Sequence, residues 1–157
     1  MFNPGEVIYG TVNGFGFIKP KPKYLIVLYR DDQLTIATCF TTSQERAGVP
    51  PENLKHGAVK DEDGFISYVF LAGVVVGQHP ESGEDFAFPL NSTVTFDYGL
   101  NLGELFDFQN GIENAELKCL LSEEEFGNLL YAMYSSHITP RKYKPYLEKS
   151  LNELYGN

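Results

Sequence analysis

Tryptophan is absent from this chain, and cysteine occurs only at Cys39 and Cys119, eighty positions apart. His56, His79 and His137 are the only histidines and stand apart from one another, so no zinc-ligand spacing exists and no metal or cofactor is expected. Both cysteines lie inside β-prone apolar runs, where a free thiol behaves as a small hydrophobe. No run reaches the roughly 18 apolar residues of a membrane span, and the opening MFNPGEVIYG lacks the basic and apolar regions of a secretory signal. The expectation is a cytoplasmic protein with no membrane partner. Basic residues are scarce too, 12 against 21 acidic ones, for a net charge of −9. The average field repels nucleic acid, and a polyanionic partner requires a local basic patch. There is no glycine loop ending in GK[ST], NGFGF is too short for a dinucleotide fingerprint, and no GxSxG elbow occurs. The common large-enzyme mechanisms are left without support.

What is present reads as one mainly β, α+β domain spanning 1–157, with a β core over 1–121 and a helical segment over 122–157. Gly5–Val12 alternates β-branched and aromatic residues as a strand does. A loop holding Phe15 and Phe17 around Gly16 follows, with two readings open, a mobile loop or rings folded back over the core. Lys19, Lys21 and Lys23 then alternate with Pro20 and Pro22, which dictates extended backbone. Tyr24–Tyr29 is a continuous apolar run of the kind buried on both faces of a central strand. After the turn Arg30–Gln33, Leu34–Phe40 supplies an antiparallel return strand that ends in Thr41, Thr42 and Ser43.

Gln44–Gly64 has the composition of a loop, with part of it docked through Val49, Leu54 and Val59. Phe65–Val76 reads as one long strand bent at Gly73, Gly77–Glu84 as a turn holding His79, and Thr93–Phe96 as a further strand. Asp97–Asn114 has no clean period, and its GELFDF segment suits a helical turn or an ordered loop equally. Ala115–Leu121 is a last short strand. Ser122 with Glu123, Glu124 and Glu125 forms a capping box ahead of an amphipathic helix carrying Phe126, Leu129, Leu130 and Met133. A basic connector, HITPRKYKPY, leads to a second helix begun at Pro145.

The lysines and the hydroxyl triplet bracket a hairpin, and their layout suggests chemistry at its open end. Lysine and proline here protect a strand edge or face a phosphate. The hydroxyls cap a turn or take part in a site. In order along the chain, GEVIYGTV, the basic residue before LIVL, the return strand ending TTS and the junction ELKCLLSEEEF resemble the PemK/MazF-like toxin family. The resemblance spans roughly Gly5 to Ser135. It implies a small SH3-like antiparallel β-barrel with C-terminal helices, a homodimer, and an antitoxin protein as partner.

The activity it implies is metal-independent endoribonuclease cleavage of single-stranded RNA by the adjacent ribose 2′-hydroxyl. On that resemblance Lys23 takes the place of the family's phosphate-facing arginine, and Thr42 with Ser43 supply the hydroxyl pair. Lys19, Lys21 and Arg46 then guide the RNA backbone, with His56 and His79 as substrate contacts and proton carriers. The chain departs from the family pattern at Lys23, whose ammonium cannot make the bidentate contact of an arginine, and at Tyr24, where a proline usually follows. The segment 136–157 has no counterpart. Two alternatives stand beside this reading: a barrel that grips a protein through its terminal helix, like the gyrase-poisoning relatives, and an inactive toxin-like domain.

Overall fold

The computed structural model describes residues 1–43 and 54–156. β-Branched and aromatic residues concentrate in the strands β1 (Glu6–Val12), β2 (Lys21–Arg30) and β3 (Thr35–Phe40). Further along lie β4 (Gly57–Asp61), β5 (Gly64–Phe70), β6 (Val75–Gln78), β7 (Asp85–Ala87), β8 (Ser92–Thr95), β9 (Leu100–Glu104) and β10 (Ile112–Leu121). The helices are α1 (Leu105–Gly111), α2 (Glu123–Ser135) and α3 (Lys144–Leu154). All pairings are antiparallel, in a seven-stranded sheet of order β7-β6-β10-β1-β2-β3-β9 and a three-stranded sheet of order β4-β5-β8. Among the described residues the larger sheet keeps β7 and β9 as its edges, and no closed barrel is seen. Thr42 and Thr93 form an isolated bridge that ties the end of β3 to β8.

β2 is an interior strand buried on both faces, as its apolar run predicts. Ile26 and Leu28 pack into the cluster that includes Leu129, Leu130 and Leu147 of the C-terminal helices. Leu25 and Val27 point the other way, into a cluster with Ile8, Ile36 and Phe108. With both faces covered, alternation has no reason to appear in the sequence. Leu28 falls where the β2–β3 register slips, and its carbonyl accepts from the buried Ser150 Oγ of α3 at 2.6 Å. Cys39 and Cys119 are buried in the first cluster, where desolvation raises both thiols above their ordinary pKa, Cys119 to about 12.

Three segments differ from the sequence expectation. Gly57–Asp61, inside the stretch read as loop, is a strand; the glycines that gave this part its loop-like look, Gly57 and Gly64, are the first residues of β4 and β5, both at positive φ. FISYVFLAGVVV is two strands in two different sheets, because the chain turns at Gly73 (φ +78°) and crosses from β5 to β6. The ambiguous Asp97–Asn114 resolves into β9 followed by α1, with GELFDF split between them. β10 consequently begins at Ile112, three residues before the expected start at Ala115, and one helix precedes it. Lys144, from the basic connector, donates to the carbonyls of Tyr134 and Ser136 at the end of α2, and burial lowers its pKa. Among the described residues no helix is long and apolar enough to cross a membrane.

Candidate functional site

Leu25 of β2 lies opposite Phe40 of β3. β2 runs on before Leu25 as a partner of β1 alone, while the chain after Phe40 passes the same end with Thr41 N–H donating to the Tyr24 carbonyl, which brings Lys21 and Lys23 beside Thr41 and Thr42. The Asn13–Pro20 loop folds over this end through three successive left-handed residues, Gly14 (φ +85°), Phe15 (φ 54°) and Gly16 (φ +87°). Two are glycines, for which that region carries no Cβ penalty. The loop sets Phe15 against Phe108 and Phe40, with centroids 4.7 and 5.9 Å away, and Phe17 against Phe40 at 5.6 Å. Gly111 makes room for this, since a Cβ there would lie 2.7 Å from Phe15 Cε2.

The outcome is a cleft of about 360 Å³ between the loop, the β2–β3 end and the β8–β9 connection. The ammonium groups of Lys21 and Lys23 stand 5.8 and 5.6 Å from the Phe17 ring, and Lys23 Nζ donates to the Thr41 carbonyl at 3.3 Å. Thr42, Thr95, Tyr98 and Asn101 supply the remaining polar lining. Among the described residues no carboxylate lines the cleft, although the chain carries 21 acidic residues. Two cations, hydroxyls and aromatic rings in one concavity suit a ligand that is both anionic and planar.

Lys21, Lys23 and Thr42 thus come together, and Ser43 lines an adjoining cleft that also includes Lys23. Lys19 is exposed and lines neither cleft. Arg46 lies outside the described residues. His79 caps its own turn, with Nδ1 accepting from the backbone N–H groups of Glu81 and Ser82 at 3.1 and 3.3 Å.

His56 belongs to a second polar cluster. Its Nδ1 accepts from Leu71 N–H at 3.1 Å, which leaves the ring proton on Nε2, 2.6 Å from Glu125 Oε1. The Tyr68 hydroxyl donates to the same oxygen at 2.6 Å, and its pKa is raised by burial first and then by Glu125. Only half of the expected capping box is therefore made. Ser122 Oγ accepts from Glu125 N–H at 3.1 Å, while the Glu125 carboxylate turns to His56 and Tyr68. Both ring nitrogens of His56 are engaged, so the cluster fastens the segment before β4 to β5 and α2.

Phe40, Thr95, Tyr98 and Asn101 were not legible as site residues, because neither the pairing of β9 with β3, which places Asn101, nor the Thr42–Thr93 bridge, which draws the end of β8 alongside, has a local sign. Of the two readings of their loop, Phe15 and Phe17 take the one in which the rings pack on the core, and they also wall the cleft. Among the described residues no group of three or more His, Cys, Asp or Glu is placed to hold a metal ion. Comparison of the chain with protein-family models, with curated proteins and with solved structures finds no match.

Proposed function

We propose that this chain is a PemK/MazF-like endoribonuclease that takes single-stranded RNA into the Lys21/Lys23 cleft. The observation that carries the reading is that a strongly acidic chain gathers Lys21, Lys23, Thr42 and aromatic rings around this cleft and, among its described residues, no carboxylate. On this reading Lys23 Nζ meets the scissile phosphate, Thr42 stands beside it and Lys21 holds the neighbouring backbone. The 2′-oxygen attacks phosphorus and loses its proton, the bond to the 5′-oxygen breaks, and that oxygen takes up a proton, leaving a 2′,3′-cyclic phosphate and a 5′-hydroxyl.

His56 and His79 lie away from the cleft, so the rate rests on positioning and on charge neutralisation by Lys23, and slow turnover is expected. The small SH3-like barrel, the homodimer and the antitoxin partner belong to the same proposal; the Thr42–Thr93 bridge between the two sheets supports the barrel. The gyrase-poison alternative is less favoured because α3 is docked into the body through Leu147 and Ser150.

The test is incubation of the purified protein with a mixed single-stranded RNA pool, in chelator, scored for 2′,3′-cyclic ends. Cleavage that is lost in Lys23→Ala is the expected result, and RNA left intact by the unaltered protein overturns the assignment. Binding separates retention from chemistry: removing Lys23 is expected to lower the slope of log affinity against log salt by about 0.7.

A further inference from the structure

The chain holds two Asn–Gly steps, Asn13–Gly14 and Asn110–Gly111, and the fold sets them against each other beside Phe15. Asn13 N–H donates to the Gly111 carbonyl at 2.7 Å. The two steps differ in their backbones. Asn110 and Gly111 end α1, where each N–H donates to the carbonyl four residues back, so the Gly111 nitrogen is held inside the helix. Asn13 and Gly14 begin the loop that walls the cleft. Gly14 is exposed and left-handed (φ +85°), and its carbonyl accepts from Phe17 N–H at 3.1 Å. Its own N–H has no protein partner among the described residues, and the carboxamide of the half-buried Asn13 makes no hydrogen bond there either.

We propose that Asn13 is a site of spontaneous deamidation, which places a carboxylate beside the Lys21/Lys23 cleft. Asparagine before glycine is where this reaction is least hindered, because no Cβ shields the attacking nitrogen. The Gly14 amide nitrogen gives up its proton to water or hydroxide and bonds to Asn13 Cγ, and the side-chain nitrogen leaves as ammonia. Water then opens the five-membered succinimide at either carbonyl. One product is aspartate. The other is isoaspartate, whose backbone is longer by one carbon just before the turn that seats Phe15. Ring closure needs a free backbone nitrogen and an asparagine outside helical geometry, conditions met at Asn13 and not at Asn110. Val12 pairs with Lys21 in the β1–β2 ladder, so the new charge arises next to that pair, within the roughly 10 Å over which charges act at about 0.1 M salt. The modification follows from the loop alone; its effect on the ligand rests on the RNA reading above.

The full chain is held in warm, mildly alkaline buffer, folded or in denaturant, and both steps are followed by protease digestion and mass spectrometry, with isoaspartate identified by electron-transfer fragmentation. In the folded protein Asn13 is expected to convert at least about tenfold faster than Asn110, whose reaction waits on opening of α1. In denaturant the two should convert at similar rates. Equal rates in the folded chain, or an Asn13 that stays intact there, overturn the assignment. The charge is tested with a single-stranded RNA of 2′-O-methyl riboses, which lack the attacking hydroxyl. Asn13→Asp is expected to bind it about threefold more weakly than the unaltered chain at low salt, with the gap closing as salt screens the added carboxylate. Aged, unaltered protein should show the same loss in proportion to its modified fraction, which keeps the outcome independent of the variant. Equal RNA affinity in fresh, aged and Asn13→Asp protein overturns the effect on the cleft. Failure of the fresh, unaltered protein to bind RNA overturns the RNA reading and that effect together, while the digest decides the modification independently.

Discussion

Glu125 Oε1 lies 2.6 Å from His56 Nε2, a contact that spans 69 residues of sequence and joins the segment before β4 to the first turn of α2. Tyr68 donates to the same oxygen, so one carboxylate holds three elements. Removing it leaves a phenol and an imidazole N–H without an acceptor in a largely buried place, and an unsatisfied buried donor costs about 1–3 kcal/mol. Glu125→Ala and His56→Ala are each expected to lower stability by about that amount, or roughly 2–4 °C in Tm per kcal/mol. Because they share one interaction, the double variant should lose less than the sum. Strict additivity in thermal unfolding would show that the pair contributes nothing.

Alkaline pH should act on the same cluster. Burial followed by the Glu125 bond raises the Tyr68 pKa, and burial followed by the Asp31 bond raises that of Tyr29 to about 12. Both folded-state values lie above that of an unfolded tyrosine, near 10, so the unfolded chain releases these protons first. The contribution is whole below about pH 10 and is lost as pH climbs through the folded values, for Tyr29 between about 10 and about 12. Thermal unfolding at stepped pH is expected to show Tm falling from about pH 10 upward, and Tyr68→Phe should flatten part of that fall. A Tm as pH-dependent in Tyr68→Phe as in the unaltered chain would remove Tyr68 from the explanation.

How far the fold could be read from the residues depended on whether each signal was local. β1, β2 and β3 were legible because a β-branched run, a continuous apolar run and the Arg30–Gln33 turn are each written within a few residues. Asp31 bears out the turn, accepting from the backbone N–H groups of Gln33 and Thr35 at 3.0 and 2.9 Å. α2 was legible from its cap and spacing, and Lys21, Lys23 and Thr42 met because an antiparallel hairpin closes its own open end. The bend at Gly73 was legible but the change of sheet was not, since nothing local in FISYVFLAGVVV tells that β5 pairs with β8 while β6 pairs with β10. Nor was the role of Glu125: its position three residues after Ser122 also fits a capping box, and only the tertiary contacts of His56 and Tyr68 decide where its carboxylate goes.

The two thiols offer a direct check on the core. Cys39 and Cys119 are fully buried, and desolvation raises both above the ordinary thiol value. A disulfide reagent attacks the thiolate, which such burial keeps scarce and covered. Neither cysteine is expected to react in the native protein at neutral pH, and both should react at once in denaturant. Rapid labelling of one thiol under native conditions would mean that the sheet around it opens readily.

Gly111 connects the helix α1 to the cleft without lining it. It ends α1 at a point where the Phe15 ring passes so close that a Cβ would lie 2.7 Å from Cε2, with the Asn13 carbonyl oxygen at 3.3 Å. Phe15 already occupies a left-handed backbone position, which costs a residue with a Cβ free energy. A methyl group at residue 111 must therefore move the ring, and with it the wall that faces Phe40. Overpacking of this kind costs about 1–3 kcal/mol. Gly111→Ala is expected to weaken binding of single-stranded RNA several-fold while leaving the salt dependence unchanged, because Lys21 and Lys23 stay in place. Lys23→Ala should do the reverse and reduce the salt slope. The two variants thus separate the aromatic wall from the cation, and a Gly111→Ala protein that binds RNA as tightly as the unaltered chain would show that the ring is not part of the site.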